Sequence, residues 1–71
     1  MIQVDARGLS CPEPVIMLKK AMLADGSIRL LVDNKTSSAI CGRFAESKGF
    51  FVTSAYSDGV YTLEMHNTAY E

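Results

Sequence analysis

The sequence predicts an α+β fold: a two-layer sandwich of element order βαβαββ, with a four-stranded mixed sheet in the order 1-2-4-3 and two helices on one face. Three observations predict it. Two short stretches alternate apolar and polar residues with the period of a half-covered strand, and each is followed by a helix-length segment that opens on a proline or capping signal. The last third of the chain is rich in β-branched and aromatic residues and is broken by one Asp-Gly pair. The length, 71 residues with 48% hydrophobic and 21% charged, allows one core that buries about 60% of the unfolded surface, and no second domain or large cleft.

Taken in order, Ile2, Val4 and Ala6 alternate with Gln3, Asp5 and Arg7, which predicts a first strand over 2–6. Gly8 to Cys11 form a loop, and Pro12 stands where helices favour proline, at the first helical position. The helix should run over 12–24 and stop at Asp25-Gly26, with Gly26 as a left-handed cap. Its inward stripe is Val15, Leu18 and Met22, widened by Ala21; Ile16 and Leu23 are either the flank of that stripe or apolar surface for a partner. Ile28, Leu30 and Val32 alternate with Arg29, Leu31 and Asp33, predicting a second strand over 27–33.

Asn34 to Ser38 is rich in capping residues, so a second helix should start near Thr36 and end near Lys48, stopped by Gly49. Ile40, Phe44 and Cys41 form its predicted buried stripe, with Gly42 implying close packing. Residues 50–56 and 60–66 then read as a hairpin around Asp58-Gly59. Right-handed crossovers place both helices on one face. Adjacent second and third strands would set those helices about 5 Å apart, whereas packed helices need roughly 8–10 Å. Inserting the fourth strand between the second and third removes the clash. Asp5, Arg7, Arg29 and Leu31 fall on the open face.

Composition excludes several classes of function. Seven Lys and Arg against eight Asp and Glu, for a net charge of −1, give no general attraction to nucleic acid. The longest apolar run, Val15 to Leu18, ends at Lys19-Lys20, far short of the roughly 20 residues of a membrane span. No basic-then-apolar leader precedes the first strand, so the expected location is the cytoplasm. Two cysteines do not make a disulfide scaffold, and with a single histidine they offer little for a metal site.

Chemistry concentrates in Arg7-Gly8-Leu9-Ser10-Cys11-Pro12-Glu13-Pro14-Val15. Cys11 falls at or next to a helix N-cap, where unpaired amides and the dipole favour an anion, and the thiolate is the nucleophilic form of cysteine. Pro12 and Pro14 have no N–H, which leaves the amides of Glu13 and Val15 as donors near the sulfur. Pro14 occupies the second cysteine position of a Cys-x-x-Cys pair, so Cys11 acts alone unless Cys41 reaches it. Cys41 reads as a packing residue, with a resolving thiol or metal ligand as the alternative. Glu13 opposes thiolate formation and Arg7 favours it if it approaches the sulfur. Moving the thiol pKa from about 8.5 to about 6.5 would make the thiolate the majority form near neutral pH. His66, late in the fourth strand, reads as a surface residue.

Asp5-Ala6-Arg7-Gly8-Leu9-Ser10-Cys11-Pro12-Glu13-Pro14-Val15, followed by Lys19-Lys20-Ala21, resembles the signature of the TusA/SirA-like sulfur carriers. Val32-Asp33-Asn34, Arg43-Phe44-Ala45 and Asp58-Gly59-Val60-Tyr61 extend the likeness over nearly the whole chain. These later features look most like the YedF-type branch, whose longer members carry such a domain at the N-terminus and are associated with selenium metabolism. The resemblance implies that residues 1–71 form one TusA-like domain, and with the abrupt ending at Asn67 to Glu71 the expectation is an N-terminal domain cut from a longer protein. The resemblance implies the same βαβαββ sandwich and a sulfurtransferase whose Cys11 takes sulfane sulfur as a persulfide from a donor such as a cysteine desulfurase. Cys11 would pass it to an acceptor thiol in relays that serve tRNA thiolation, molybdenum-cofactor synthesis or sulfur oxidation. It also implies that Asp5, Arg7, Gly8, Pro12 and Pro14 support the motif, with Glu13 in the variable place between the prolines.

Such a carrier requires no metal and no cofactor beyond the transient persulfide. Ile16 and Met17, bordered by Arg7, Lys19 and Lys20, form the expected docking surface, with a solvated helix face as the alternative. A monomer or weak dimer is expected, since Leu31 and Phe51 leave apolar area on the open face. Two other functions remain open: a redox or regulatory module using Cys11, and selenium handling.

Overall fold

A computed structural model of the chain describes residues 1–10 and 12–67. The elements are β1 (Ile2–Asp5), α1 (Glu13–Ala24), β2 (Ser27–Val32), α2 (Lys35–Ser47), β3 (Phe51–Ser57) and β4 (Val60–His66). They build a mixed sheet in the order β1-β2-β4-β3, as the helix-spacing argument requires. β1 runs parallel to β2 with Val4 opposite Leu30, and β4 runs antiparallel to both β2 and β3. Among the described residues no helix is long and apolar enough to cross a membrane.

The core lies between the sheet and the two helices. Val4, Ala6, Ile28, Leu30, Val32, Leu63 and Met65 face it from the sheet, and Leu18, Ala21, Met22, Cys41 and Ala45 from the helices. The alternation in β1, β2 and β4 puts every second residue inward. Thr62 and Glu64 share the open face with Gln3, Arg29 and Leu31, where Arg29 donates to Glu64 across the strands through Nη2 at 2.8 Å and Nε at 3.0 Å. The hairpin turns on Asp58 (φ 52°) and Gly59 (φ 79°), with Ser57 paired to Val60. Both central residues are left-handed, as a two-residue type I′ turn demands.

The helix boundaries differ from the sequence expectation in three ways. Pro12 caps α1 (φ −97°, ψ 8°) and the helix starts at Glu13, which makes Pro14 rather than Pro12 the proline of its first turn. Gly26 is not a left-handed cap. The helix stops at Asp25 in extended conformation (φ −153°), because the Asp25 carboxylate accepts from Ser27 N–H at 3.1 Å and meets the N-terminal ammonium at 3.2 Å, turning the chain directly into β2. α2 begins at Lys35, because Asn34 Oδ1 accepts from Ser37 N–H at 2.7 Å and so caps the helix.

The end of α2 is a Schellman motif: Phe50 N–H donates to Ala45 O and Gly49 N–H to Glu46 O, both at 3.0 Å, with Gly49 at φ 87° and Phe50 buried beyond it.

The inward stripe of α2 is Ser37, Cys41 and Ala45, rotated from the expected one. Ile40 is exposed, and Phe44 packs only partly against the core, with Lys48 Nζ 5.5 Å from its ring centre. Small side chains let this helix approach the sheet. Gly42 is not required by close packing, since an added Cβ would meet Leu63 Cδ2 at 3.7 Å and Val52 Cγ1 at 3.9 Å, ordinary contact distances. Gly42→Ala is therefore expected to raise stability by about 0.5–1 kcal/mol through helix propensity, read as a higher urea midpoint at unchanged m-value.

Candidate functional site

Parallel pairing of β1 and β2 brings their C-terminal ends side by side, so the chain leaving each strand enters a helix at the same edge of the sheet. The motif occupies that edge. Cys11 itself lies outside the described residues, and the site is defined by the segments on either side of it.

On the upstream side, Ala6 N–H donates to Leu31 O at 2.8 Å, continuing the β1–β2 pairing one residue past the strand. The chain then turns through Arg7 and Gly8, with Gly8 at φ 80° and Leu9 N–H returning to Ala6 O at 3.3 Å. Arg7 folds back onto Asp5: Nε donates to Oδ1 and Nη2 to Oδ2, each at 2.8 Å, and the Arg7 backbone N–H donates to Oδ1 at 3.1 Å. This two-toothed bond, with the backbone donor behind it, holds the Asp5 carboxyl down at about 2 and raises the Arg7 guanidinium above its ordinary value. The guanidinium that would favour the thiolate if it approached the sulfur is engaged with Asp5.

The shift has a sign that can be tested. A carboxyl whose folded pKa lies near 2 against an ordinary 3.8 stabilises the fold fully above the higher value and loses that contribution as pH falls through the lower one. Asp5→Asn should accordingly lower the urea midpoint at pH 6. The gap to the unsubstituted chain should narrow below pH 4 and close only as pH falls below about 2, following the carboxyl of Asp5 rather than general acid unfolding.

Downstream, Pro12 and Glu13 are exposed, while Pro14 is fully buried and wedges the first turn of α1 against the core. Glu13 N–H donates to Ser10 O at 3.0 Å, and Ile16 N–H to Pro12 O at 3.1 Å. One of the two amides expected beside the sulfur is therefore engaged in a turn. Leu9 is half-buried against the core. Backbone on both sides of position 11 is thus fastened by hydrogen bonds among the described residues.

Along α1, Ile16, Lys19 and Lys20 are exposed, whereas Met17 leans on the core. Ile16 keeps 48% of its surface and Leu23 82%, so the outer face of α1 presents apolar groups between lysines. Cys41 is fully buried in α2. His66 is exposed at the end of β4, with Nδ1 3.2 Å from Ser27 Oγ. A depression on the open sheet face, among residues that include Gln3, Arg29, Leu31 and Thr62, takes in none of the motif.

Sequence reasoning missed two features of this edge. Asp33, just past β2, accepts from Gly8 N–H through Oδ2 at 2.7 Å, and Asn34 Nδ2 donates to its other oxygen at 3.4 Å. Tyr61, opposite Val32 at the same edge, packs on the exposed Tyr56 with ring centres 4.7 Å apart. The predicted parallel adjacency of β1 and β2 was the signal for the first, since it places residues just beyond each strand within reach of one another.

The family description "Sulfurtransferase TusA" matches residues 2–66 of this chain. Among solved structures, the crystal structure of a SirA-like protein from Desulfitobacterium hafniense has 35% sequence identity and a TM-score of 0.87, with 93% of this chain and 96% of that chain covered.

Proposed function

This chain belongs to the TusA sulfurtransferase family, and from that premise of a sulfur-carrier role we propose that Cys11 carries the sulfur as a persulfide. The observation that supports the reading is the Cys11-Pro12-Glu13-Pro14 stretch at the junction of β1 and α1, inside the matched region.

The Cys11 thiolate attacks the outer sulfur of a donor persulfide. A sulfur–sulfur bond forms to Cys11, the donor's own sulfur–sulfur bond breaks, and the donor cysteine leaves as a thiolate. The proton of the outer sulfur travels with it, and nothing is oxidised or reduced overall. Delivery repeats the step with an acceptor thiol or a further carrier. The exchange calls for an accessible thiolate and a docked partner, without a metal, cofactor or deep pocket on this chain.

Asp5 with Arg7, the turn at Gly8, and the two prolines shape the backbone that presents Cys11. Glu13 adds an exposed charge in the first helical turn. Ile16, Lys19 and Lys20, with Met17 beneath them, form the surface on which a cysteine desulfurase and then an acceptor protein dock. A reducing compartment such as the cytoplasm keeps the thiol available. Burial of Cys41 disfavours the rival reading, a redox switch through a Cys11–Cys41 bond. Incubation with a cysteine desulfurase and cysteine should add one sulfur by intact mass, mapped by proteolysis to the peptide containing Cys11. No added sulfur, or sulfur mapped to Cys41, would overturn the proposal. The finer likeness to the YedF-type branch extends the proposal to selenium, which a selenium donor in the same assay would add to Cys11.

A further inference from the structure

We infer that Asp33 is a positioning residue for sulfur transfer: its carboxylate ties the Gly8 amide to the end of β2 and thereby fixes the backbone that presents Cys11. The inference rests on the carrier reading above.

The loop has two carboxylates beside it, and they do different things. Asp5 is local: it binds the side chain and amide of Arg7 two residues away. Asp33 is 25 positions from Gly8 in sequence, and its bond joins the loop to a different strand and to the cap of α2. At 2.7 Å with an ionised acceptor it is the short, strong class of hydrogen bond, whereas the turn's own Leu9-to-Ala6 bond is long at 3.3 Å. Gly8 sits in the left-handed region at φ 80°, where its N–H points away from the turn and toward the neighbouring strand's end. Remove the Asp33 acceptor and the Gly8 amide loses its bond to the end of β2, leaving the loop held by the local Asp5–Arg7 bonds and the long turn bond, neither of which ties it to another element. Cys11 is three residues further on. Sulfur-to-sulfur substitution proceeds along the line of the breaking bond, so a carrier whose sulfur wanders by an ångström presents fewer productive encounters.

Two variants of the full chain separate a role in position from a role in charge. Asp33→Asn retains a carbonyl acceptor and loses the charge; Asp33→Ala loses both. Assayed well below the melting temperature, Asp33→Ala should slow transfer from a persulfidated desulfurase about tenfold and should raise the Gly8 amide exchange rate by about as much. Asp33→Asn should stay within about twofold of the unsubstituted chain on both readouts. The pH midpoint of Cys11 alkylation by iodoacetamide should be unchanged in both variants, since the bond, not the field, is what matters. Unchanged transfer in Asp33→Ala would overturn the inference, as would an Asn variant as slow as Ala with a shifted alkylation midpoint. If the unsubstituted chain takes up no sulfur, the carrier reading fails instead, and Gly8 exchange still reports the tether independently.

Discussion

Leu30→Ala is expected to remove about 3–5 kcal/mol of stability, enough to leave the domain partly unfolded near room temperature. Leu30 has no exposed surface; it sits at the centre of β2, one of the two inner strands, opposite Val4 on one side and Leu63 on the other. Truncation opens a cavity that neither flanking strand can fill without breaking register. A domain of this length has on the order of 4–10 kcal/mol in total, so one such cavity is a large share of it. With a urea m-value of about 1 kcal/mol/M, the midpoint should fall by about 3 M or more. Leu23→Ala, at a leucine with 82% of its surface exposed, should change stability by less than about 0.5 kcal/mol. Similar losses from the two leucines would contradict the assignment of the core. The loss also reaches the site, because β2 delivers Asp33 to the Gly8 amide.

The contrast between the two leucines shows what could be read from sequence. Strand alternation is local and has a period of two, so Ile28, Leu30 and Val32 declare their side without knowledge of the rest of the fold. The Asp58-Gly59 turn is equally local: only residues tolerant of positive φ close that hairpin. Strand order followed from crossover handedness together with the mismatch between strand spacing and the distance packed helices need. The rotation of α2 did not, because hydrophobicity points to Ile40 whereas the packed face is set by closeness to the sheet, which favours Ser37, Cys41 and Ala45. Ser37 makes the point sharply: it is buried, and its hydroxyl has no hydrogen-bond partner among the described residues. No hydropathy scale places it inward.

Legibility at the candidate site divides along the same line. Arg7 and Asp5 are two residues apart, and their pairing lies within reach of a sequence argument. The Gly8–Asp33 bond spans 25 positions and depends on two strands being parallel neighbours. Likewise the engagement of Glu13 N–H by Ser10 O depends on where the helix starts, and a shift of one residue in Pro12 decides it. Boundaries of that size are the least determined feature of a helix read from sequence.

The two cysteines should separate in opposite directions when each is replaced by serine. Cys11→Ser is expected to reduce sulfur loading to background, because an alcohol is not appreciably ionised near neutral pH and forms no stable counterpart of a persulfide. Its neighbours Ser10 and Pro12 are both exposed, so the melting temperature should move by less than about 3 °C. Cys41→Ser puts a hydroxyl where a thiol is fully buried, one helical turn from the buried hydroxyl of Ser37. Burying that group costs about 1–2 kcal/mol even if it bonds back to the carbonyl four residues earlier, and the melting temperature should drop by roughly 5–10 °C. Loading should nonetheless stay stoichiometric at temperatures where the variant is folded. One variant is then stable and inactive, the other weakened and active, a combination that global unfolding cannot produce. Retained loading in Cys11→Ser, or loading lost in folded Cys41→Ser, would move the chemistry away from the single carrier thiol; intact mass and thermal melts on the same samples decide it.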